Sequence, residues 1–244
     1  MQKKKISIII PTLNEEKLIL QNLKQFEPDL KERFKIEIIV SDGGSTDRTT
    51  GIAEGLADKV LIHKEKFKQN ISRGRNQGAL DSEGDVLIFL NADTLISDVN
   101  LFFERILRIF DDEKIAAIAC PVRVFRKEEI TIDRVFHFCY NNYVKLLNKY
   151  FMGMGRGECH IIRKSAFIKA GRYNEDMFAG EDFDLYKRLK KIGKIVFLKE
   201  IVVFESPRRY RKFGYLKVFW DWTRNSVWIT LFKKSISKDW EEVR

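Results

Sequence analysis

The sequence predicts an α/β protein: a mostly parallel central sheet flanked by helices, followed by a C-terminal helical segment rich in aromatic and basic residues. Two observations carry that prediction. An apolar run without polar alternation at residues 86–90 suits a strand covered on both faces, and strand patterns at 6–10 and 36–40 alternate with helical patterns in the manner of parallel βαβ units. Polar loops rich in Asp, Asn, Ser and Gly follow each run, and open parallel sheets bind ligands beyond the carboxyl ends of their strands.

The first strand, 6–10, ends at Pro11-Thr12 and gives way to a helical pattern from about residue 15 to 33. The second, 36–40, delivers Ser41-Asp42-Gly43-Gly44-Ser45-Thr46-Asp47. The glycines allow close backbone approach to a ligand, and Asp42 suits a hydrogen bond from a base or ribose, while Ser45 or Asp47 suits a cap for a helix over 48–57. A short strand at 60–62 leads to a helical pattern, 71–79, carrying Arg73 and Arg75. Those arginines either face ligand phosphates or lie on a solvated face.

The strand at 86–90 brings Asn91-Ala92-Asp93 to its end. A short acidic signal with a small residue inside it can put a carboxylate oxygen on a divalent cation without crowding a phosphate, so Asp93 is the candidate ligand. The same residues also make a turn leading to a helix expected from about Ser97 to residue 110. Residues 115–124 read as a strand interrupted by Pro121, and 130–150 as an aromatic, basic helix packed on the core or lining an acceptor groove. After the flexible Gly153-Met154-Gly155-Arg156-Gly157, residues 158–163 alternate weakly around a lone histidine, His160.

Gly180-Glu181-Asp182-Phe183-Asp184 then opens a helix with apolar Leu185, Leu189 and Ile192. Carboxylates belong at a helix N-terminus for dipole reasons alone, and one of them also suits an exposed general base. Short strands follow at 195–198 and 201–204. From Arg208 the composition shifts to Arg208-Arg209-Tyr210-Arg211-Lys212-Phe213, then Trp220, Trp222 and Trp228, closed by Lys233-Lys234. Basic aromatic helices favour the headgroup boundary of an anionic membrane, and a helix clasping the core shows the same residues. Residues 1–210 therefore read as one unit and 211–244 as a helical extension packed on the core or on a membrane surface.

The 244 residues carry a net charge of +10, which favours acidic partners. Cys120, Cys139 and Cys159 form neither a Cys-x-x-Cys spacing nor an even set, which argues against a disulfide framework or structural zinc and fits a cytoplasmic setting. The apolar run after Lys3-Lys4-Lys5 is short for a signal peptide, and no window holds the ~18 apolar residues of a membrane span. The loop at 11–16 is neither glycine-rich nor basic, against a nucleotidyltransferase, and Gly-x-Gly-x-x-Gly is absent, against a dinucleotide-dependent dehydrogenase.

Taken in order, Ile9-Ile10-Pro11-Thr12-Leu13-Asn14-Glu15-Glu16, Val40-Ser41-Asp42-Gly43-Gly44-Ser45-Thr46-Asp47, Arg73-Gly74-Arg75-Asn76, Asn91-Ala92-Asp93 and Gly180-Glu181-Asp182 resemble the family 2 glycosyltransferases, from about residue 5 to 209. Each motif is weak alone; five in this order are specific. The resemblance implies a GT-A-type fold over 1–210 and transfer of a sugar from a UDP- or GDP-linked donor, with inversion, to an acceptor hydroxyl or phosphate, lipid-linked acceptors included. It implies nucleoside contacts from Pro11, Thr12, Glu15 and Asp42, and a metal motif at Asn91, Ala92 and Asp93, with Asp93 reaching Mg²⁺ or Mn²⁺. Arg73, Arg75 and Arg208 are the expected diphosphate donors, Asp182 the general base, and Glu181 secondary to it. Nucleic acid is not an expected partner. Two positions depart from the family's usual aspartates, Ser41 and Asn91, and no histidine follows the late strand, where Glu205 and Ser206 stand. The competing reading is a catalytically weak module that binds nucleotide or anionic lipid in a salt-dependent way.

Overall fold

The computed structural model describes residues 4–65, 67 and 69–232, without the side chains of Thr230 and Leu231. Lys233, Lys234 and the remainder of the expected C-terminal extension lie outside the described residues. In chain order the first elements are β1 (Ile6–Thr12), α1 (Ile19–Leu23), α2 (Pro28–Phe34), β2 (Ile36–Asp42), α3 (Thr49–Glu54), β3 (Lys59–Ile62), α4 (Ile71–Leu80) and β4 (Val86–Leu90). Next come β5 (Thr94–Ile96), α5 (Val99–Ile109), β6 (Ile115–Ala119), β7 (Val122–Val124), α6 (Thr131–Tyr150), β8 (Cys159–Arg163) and α7 (Lys164–Lys169). The chain continues through α8 (Glu181–Leu189), β9 (Lys194–Phe197), β10 (Val203–Glu205), α9 (Arg208–Phe213) and α10 (Tyr215–Phe232).

Seven strands form the principal sheet in the order β3-β2-β1-β4-β8-β6-β9, and β5-β10-β7 form a second, smaller one. All pairs of the large sheet are parallel except those of β8, which runs antiparallel to β4 and β6. The apolar character of these strands has the expected cause. Ile8, Ile10, Ile38, Val40, Ile88 and Leu90 pack with Phe102 and Phe103 in one layer, whereas Ile9, Leu87 and Phe89 pack with Phe167, Tyr186 and Leu189 in the other. Alternate residues thus enter two different hydrophobic layers, and the buried polar pair Ser7 and Glu37 satisfies itself, the Ser7 hydroxyl donating to Glu37 at 2.5 Å.

The carboxyl ends of β1, β2 and β4 lie on one edge, as the parallel registers require. Because β8 is antiparallel, its first residue, Cys159, pairs with Leu90, the last residue of β4, and the Asn91 amide donates to the Glu158 carbonyl at 3.2 Å. The segment before β8 is thereby brought to the same edge as the loops after the parallel strands.

Three expectations change. The helical pattern at 15–33 is two short helices, because Pro28 holds Glu27 extended and opens α2 at a position where its missing amide hydrogen costs nothing. The strand expected over 115–124 is divided at Pro121 between the two sheets, as β6 and β7. The helix expected from Ser97 starts at Val99, where the Asp98 carboxylate accepts from the Leu101 amide at 2.9 Å, and the residues between the turn and this helix form β5.

The C-terminal tryptophans divide. Trp222 packs with Phe136, Tyr140 and Tyr210, while Trp220 and Trp228 are exposed. Helix α10 is anchored by Val218 and Ile229, which are buried.

Candidate active site

At the carboxyl edge of the sheet lies a cavity of about 610 Å³, and every residue singled out in the sequence lines it except Asp42. Its walls come from the loop after β1, helix α4, the loop after β4, the segment before β8, the start of α8, the stretch 205–210, and the inner faces of α6 and α10.

Asp42 is fully buried beneath this wall. Its carboxylate accepts from the Gly44 and Ser45 amides at 2.9 and 2.7 Å and from the Ser45 and Thr12 hydroxyls at 2.6 and 2.7 Å. Four donors from its own loop and from β1 occupy both oxygens, so Asp42 shapes the loop that Gly43 and Thr12 present to the cavity. In this arrangement Asp42 does not line the cavity, and donors of its own loop and of β1 hold its carboxylate. Asn14, at φ 53°, joins the same lattice: its amide donates to the Ser45 hydroxyl and its side-chain oxygen accepts from the Thr46 amide, both at 2.8 Å. Buried Asn22 holds the third loop by donating to the Asn91 and Thr94 carbonyls at 3.0 and 2.9 Å.

Arg208, the first residue of α9, grips Glu15 through both terminal nitrogens at 3.0 and 2.9 Å, and one of them lies 3.1 Å from Asp93. Burial pushes the Asp93 carboxyl up to about 6; Arg208 pulls the other way, and Glu15 and Glu158 add to the rise. Arg75 is placed differently from the phosphate ligand expected. Fully buried, it donates to Glu181 at 2.8 Å, to the Asn91 side chain at 3.0 Å and to the Gly157 carbonyl at 2.7 Å, with Tyr173 over its guanidinium at 5.3 Å. It binds three cavity loops to one another. Arg73 stands nearer the cavity mouth, its guanidinium 4.5 Å from the ring of Phe67.

The two acids that open α8 have separate environments. Glu181 is paired with Arg75, whereas Asp182 has no salt bridge among the described residues. One oxygen of Asp182 accepts from the Phe183 amide at 2.8 Å, and the other makes no hydrogen bond among the described residues. Burial first, and the neighbouring Glu181 charge second, push the Asp182 carboxyl up to about 7. Gly180 makes this approach possible. Its φ of +76° suits glycine, and a β-carbon there would stand 2.4 Å from the Ile229 side chain of α10. Asp184, as expected, serves the helix, in an i,i+4 pair with Arg188 at 2.6 Å.

Sequence reading missed the charged group that Arg156 and Glu158 build into the cavity wall with Glu205. Buried Arg156 contacts Glu158 and Glu205, each at 3.3 Å, and lies 4.6 Å from the Tyr140 ring centre. Tyr210 donates to Glu205 at 2.8 Å. Burial first, and the Glu158 charge second, drive Glu205 well above its ordinary value, while the Arg156 guanidinium helps to hold Glu158 below its own. The signal was Arg156 between two glycines, a charged side chain on a segment shaped for close packing. His160 is structural: buried, within hydrogen-bond distance of the Tyr173 hydroxyl at 2.7 Å, and driven well below its ordinary pKa by burial.

Among the described residues no group of three or more His, Cys, Asp or Glu is placed to hold a metal ion. Asp93 nevertheless suits a cation held partly by substrate. Its buried charge is only partly compensated, and Mg²⁺ commonly takes one or two carboxylates together with substrate phosphates.

The family profile described as Glycosyl transferase family 2 matches residues 7–171, more than half of the chain. The chain belongs to the family 2 glycosyltransferases. Relatives within reach include Probable glycosyltransferase YdaM of Bacillus subtilis, 26% identical over 249 residues that cover 93% of this chain and 56% of that protein. Another is the GalNAc(5)-diNAcBac-PP-undecaprenol beta-1,3-glucosyltransferase of Campylobacter jejuni, 26% identical over 189 residues, 75% of this chain and 52% of that one. This glycosyltransferase thus spans little more than half the length of either relative. Among solved structures, the mannosyltransferase PcManGT of Pyrobaculum calidifontis, in complex with GDP-Man and Mn²⁺, superposes with a TM-score of 0.66 at 17% identity, over 92% of this chain and 65% of that one. Mannosyl-3-phosphoglycerate synthase of Rubrobacter xylanophilus gives 0.62 at 15% identity, over 94% and 75%. The family 2 glycosyltransferase described here therefore has the GT-A fold, an α/β sheet flanked by helices.

Proposed function

We propose that the chain transfers a sugar from a UDP- or GDP-linked donor, with inversion, to an acceptor hydroxyl or phosphate, and that Asp182 is the general base. The observation that carries this reading is the Asp182 oxygen that makes no hydrogen bond among the described residues, in a cavity shared with Asp93 and Arg208. A carboxylate whose pKa lies near 7 is matched to taking a proton from an acceptor hydroxyl at neutral pH, and such assistance is typically worth about 10²–10⁴-fold. The charge of Glu181, paired with Arg75, adds to burial in keeping the Asp182 carboxylate basic.

On the donor side, Thr12, Gly43 and the loop shaped by Asp42 form the nucleoside end, and Arg208 is the diphosphate donor, released from Glu15 and Asp93 as the phosphates arrive. Asp93 is the residue that would hold Mg²⁺ or Mn²⁺, which supplies Lewis-acid charge to the departing diphosphate when bound. Relatives whose acceptors are lipid-linked, such as the undecaprenol-dependent glucosyltransferase of Campylobacter jejuni, favour a lipid-linked acceptor here and action at a membrane surface facing the cytoplasm. Thermal stabilisation by a panel of UDP- and GDP-sugars, with and without Mn²⁺, tests the donor half. Stabilisation by one nucleotide class that deepens with Mn²⁺ supports the reading, and indifference to every nucleotide sugar overturns it.

A further inference from the structure

We propose that the outer faces of α6 and α10 form a docking surface for an anionic lipid bilayer, and that a lipid-borne acceptor enters the cavity from that side, past Tyr140 and Trp222. The acceptor half rests on the glycosyltransferase reading; the docking half stands on the surface itself.

Both helices are two-faced. Helix α6 buries Asp133, His137, Val144 and Asn148, and on its other side Val135, Phe138, Leu146 and Tyr150 are 49–70% exposed. Helix α10 buries Val218, Asn225 and Ile229, while Leu216, Trp220 and Val227 are 55–88% exposed. These spacings of three, four, seven and eight residues keep each exposed set on one stripe of its helix. Contiguous apolar surface of this kind marks an interaction site, and a single amphipathic helix would already suffice for the headgroup boundary.

The charge around the stripes selects the occupant. Helices α6 and α10 carry five Lys or Arg against two Asp. The two acids are neutralised within the protein: Asp133 by Arg211 at 2.6 Å, and Asp221 by Lys217 at 2.9 Å. Lys145 and Lys149 stand exposed along α6, and Lys149 lies 4.7 Å from the centre of the Tyr150 ring. Apolar stems under cationic heads fit the acyl–phosphate boundary of a bilayer. No helix among the described residues is long and apolar enough to cross a membrane, so the contact lies in the interface plane.

The same helices reach the catalytic cavity. Trp222 stacks 5.5 Å from Tyr140, joining α10 to α6, and both rings line the cavity together with Asn225, while Ile229 packs beneath Gly180 beside Asp182. An acceptor carried on a lipid thus meets the base from the bilayer side without leaving the membrane.

The test uses the intact protein and flotation with two vesicle types, pure phosphatidylcholine and an equimolar mixture of phosphatidylcholine and phosphatidylglycerol. The protein is expected to float with the anionic vesicles alone and to be released by high salt. The double variant Phe138→Ser/Trp220→Ser, one exposed side chain on each helix, is expected to lose partitioning by at least about tenfold. Its binding of UDP or GDP, measured in parallel, is expected to stay at the wild-type level, which separates this proposal from the donor reading. Absence of flotation, flotation unchanged in the double variant, or a dimer dispersed by the same substitutions would overturn it, the last by giving the face to a second copy.

Discussion

Arg208 lies 3.1 Å from Asp93 while holding Glu15 with both terminal nitrogens, so one guanidinium occupies the space between two buried carboxylates. A cation bound with a diphosphate would replace that guanidinium at Asp93 and leave Arg208 to the phosphates. Asp93→Asn should therefore abolish the Mn²⁺-dependent tightening of UDP or GDP binding while retaining metal-free affinity, as titration calorimetry with and without Mn²⁺ would read. Undiminished metal dependence would remove Asp93 from that role.

Asp182→Asn keeps size and the hydrogen bond from the Phe183 amide but removes the basic oxygen. Turnover is expected to fall by about 10²–10⁴ with donor affinity nearly unchanged. Single-turnover transfer at the wild-type rate would defeat the assignment.

The same carboxyl sets two pH dependences. As a base it acts deprotonated, so kcat/KM should rise with pH toward about 7 and level above it. Stability runs the other way. The folded-state pKa is about 7 against an ordinary 3.8, so between those values the folded chain keeps a proton the unfolded chain has released, and stability falls as pH rises through the window. Asp182→Asn should accordingly melt a few degrees above wild type at pH 8 and no higher near pH 4, measured without ligand.

Removing Arg75 tests its place as a tie between loops. Arg75→Ala leaves Glu181 buried beside Asp182 without its counter-charge and frees Asn91 and the Gly157 carbonyl. A loss of about 3–5 kcal/mol is expected, and Arg75→Lys should recover only part of it because an ammonium lacks the planar fork. Denaturant unfolding gives the numbers; a cost below about 1 kcal/mol would contradict this structural role.

The sequence made the sheet's centre legible because β1, β2 and β4 are buried on both faces, a condition that leaves runs dominated by apolar residues, unbroken in β4. It made most of the site legible for a related reason: loops following such strands must lie on one edge, and Thr12, Asp93 and Glu181 are there. Burial within that edge was not legible. Asp42 and Arg75 have the chemistry of ligand-binding residues, and only the packed structure reveals that neighbouring loops already satisfy them. Arg156 and Glu158 were missed because their position depends on the direction of β8, which no local pattern in five residues can state. Helix α6 reads from the sequence as packed on the core or lining an acceptor groove; buried Val144 fits the first and Tyr140 lines the cavity, but Phe138 and Tyr150 point outward.

The antiparallel insertion of β8 also bears on how the chain behaves while it is being synthesised. Strands β3, β2, β1 and β4 are neighbours in that order and come from the first 90 residues, so this half can pair early. Until residues 159–163 emerge, however, Val86–Leu90 has one row of backbone groups without a partner and a wholly apolar surface on both sides. A nascent chain halted near residue 150 would present an aggregation-prone template, whereas one extended past residue 163 has that edge covered. Fragments ending at those two points should differ sharply in solubility, and equal solubility would mean that β4 is shielded some other way.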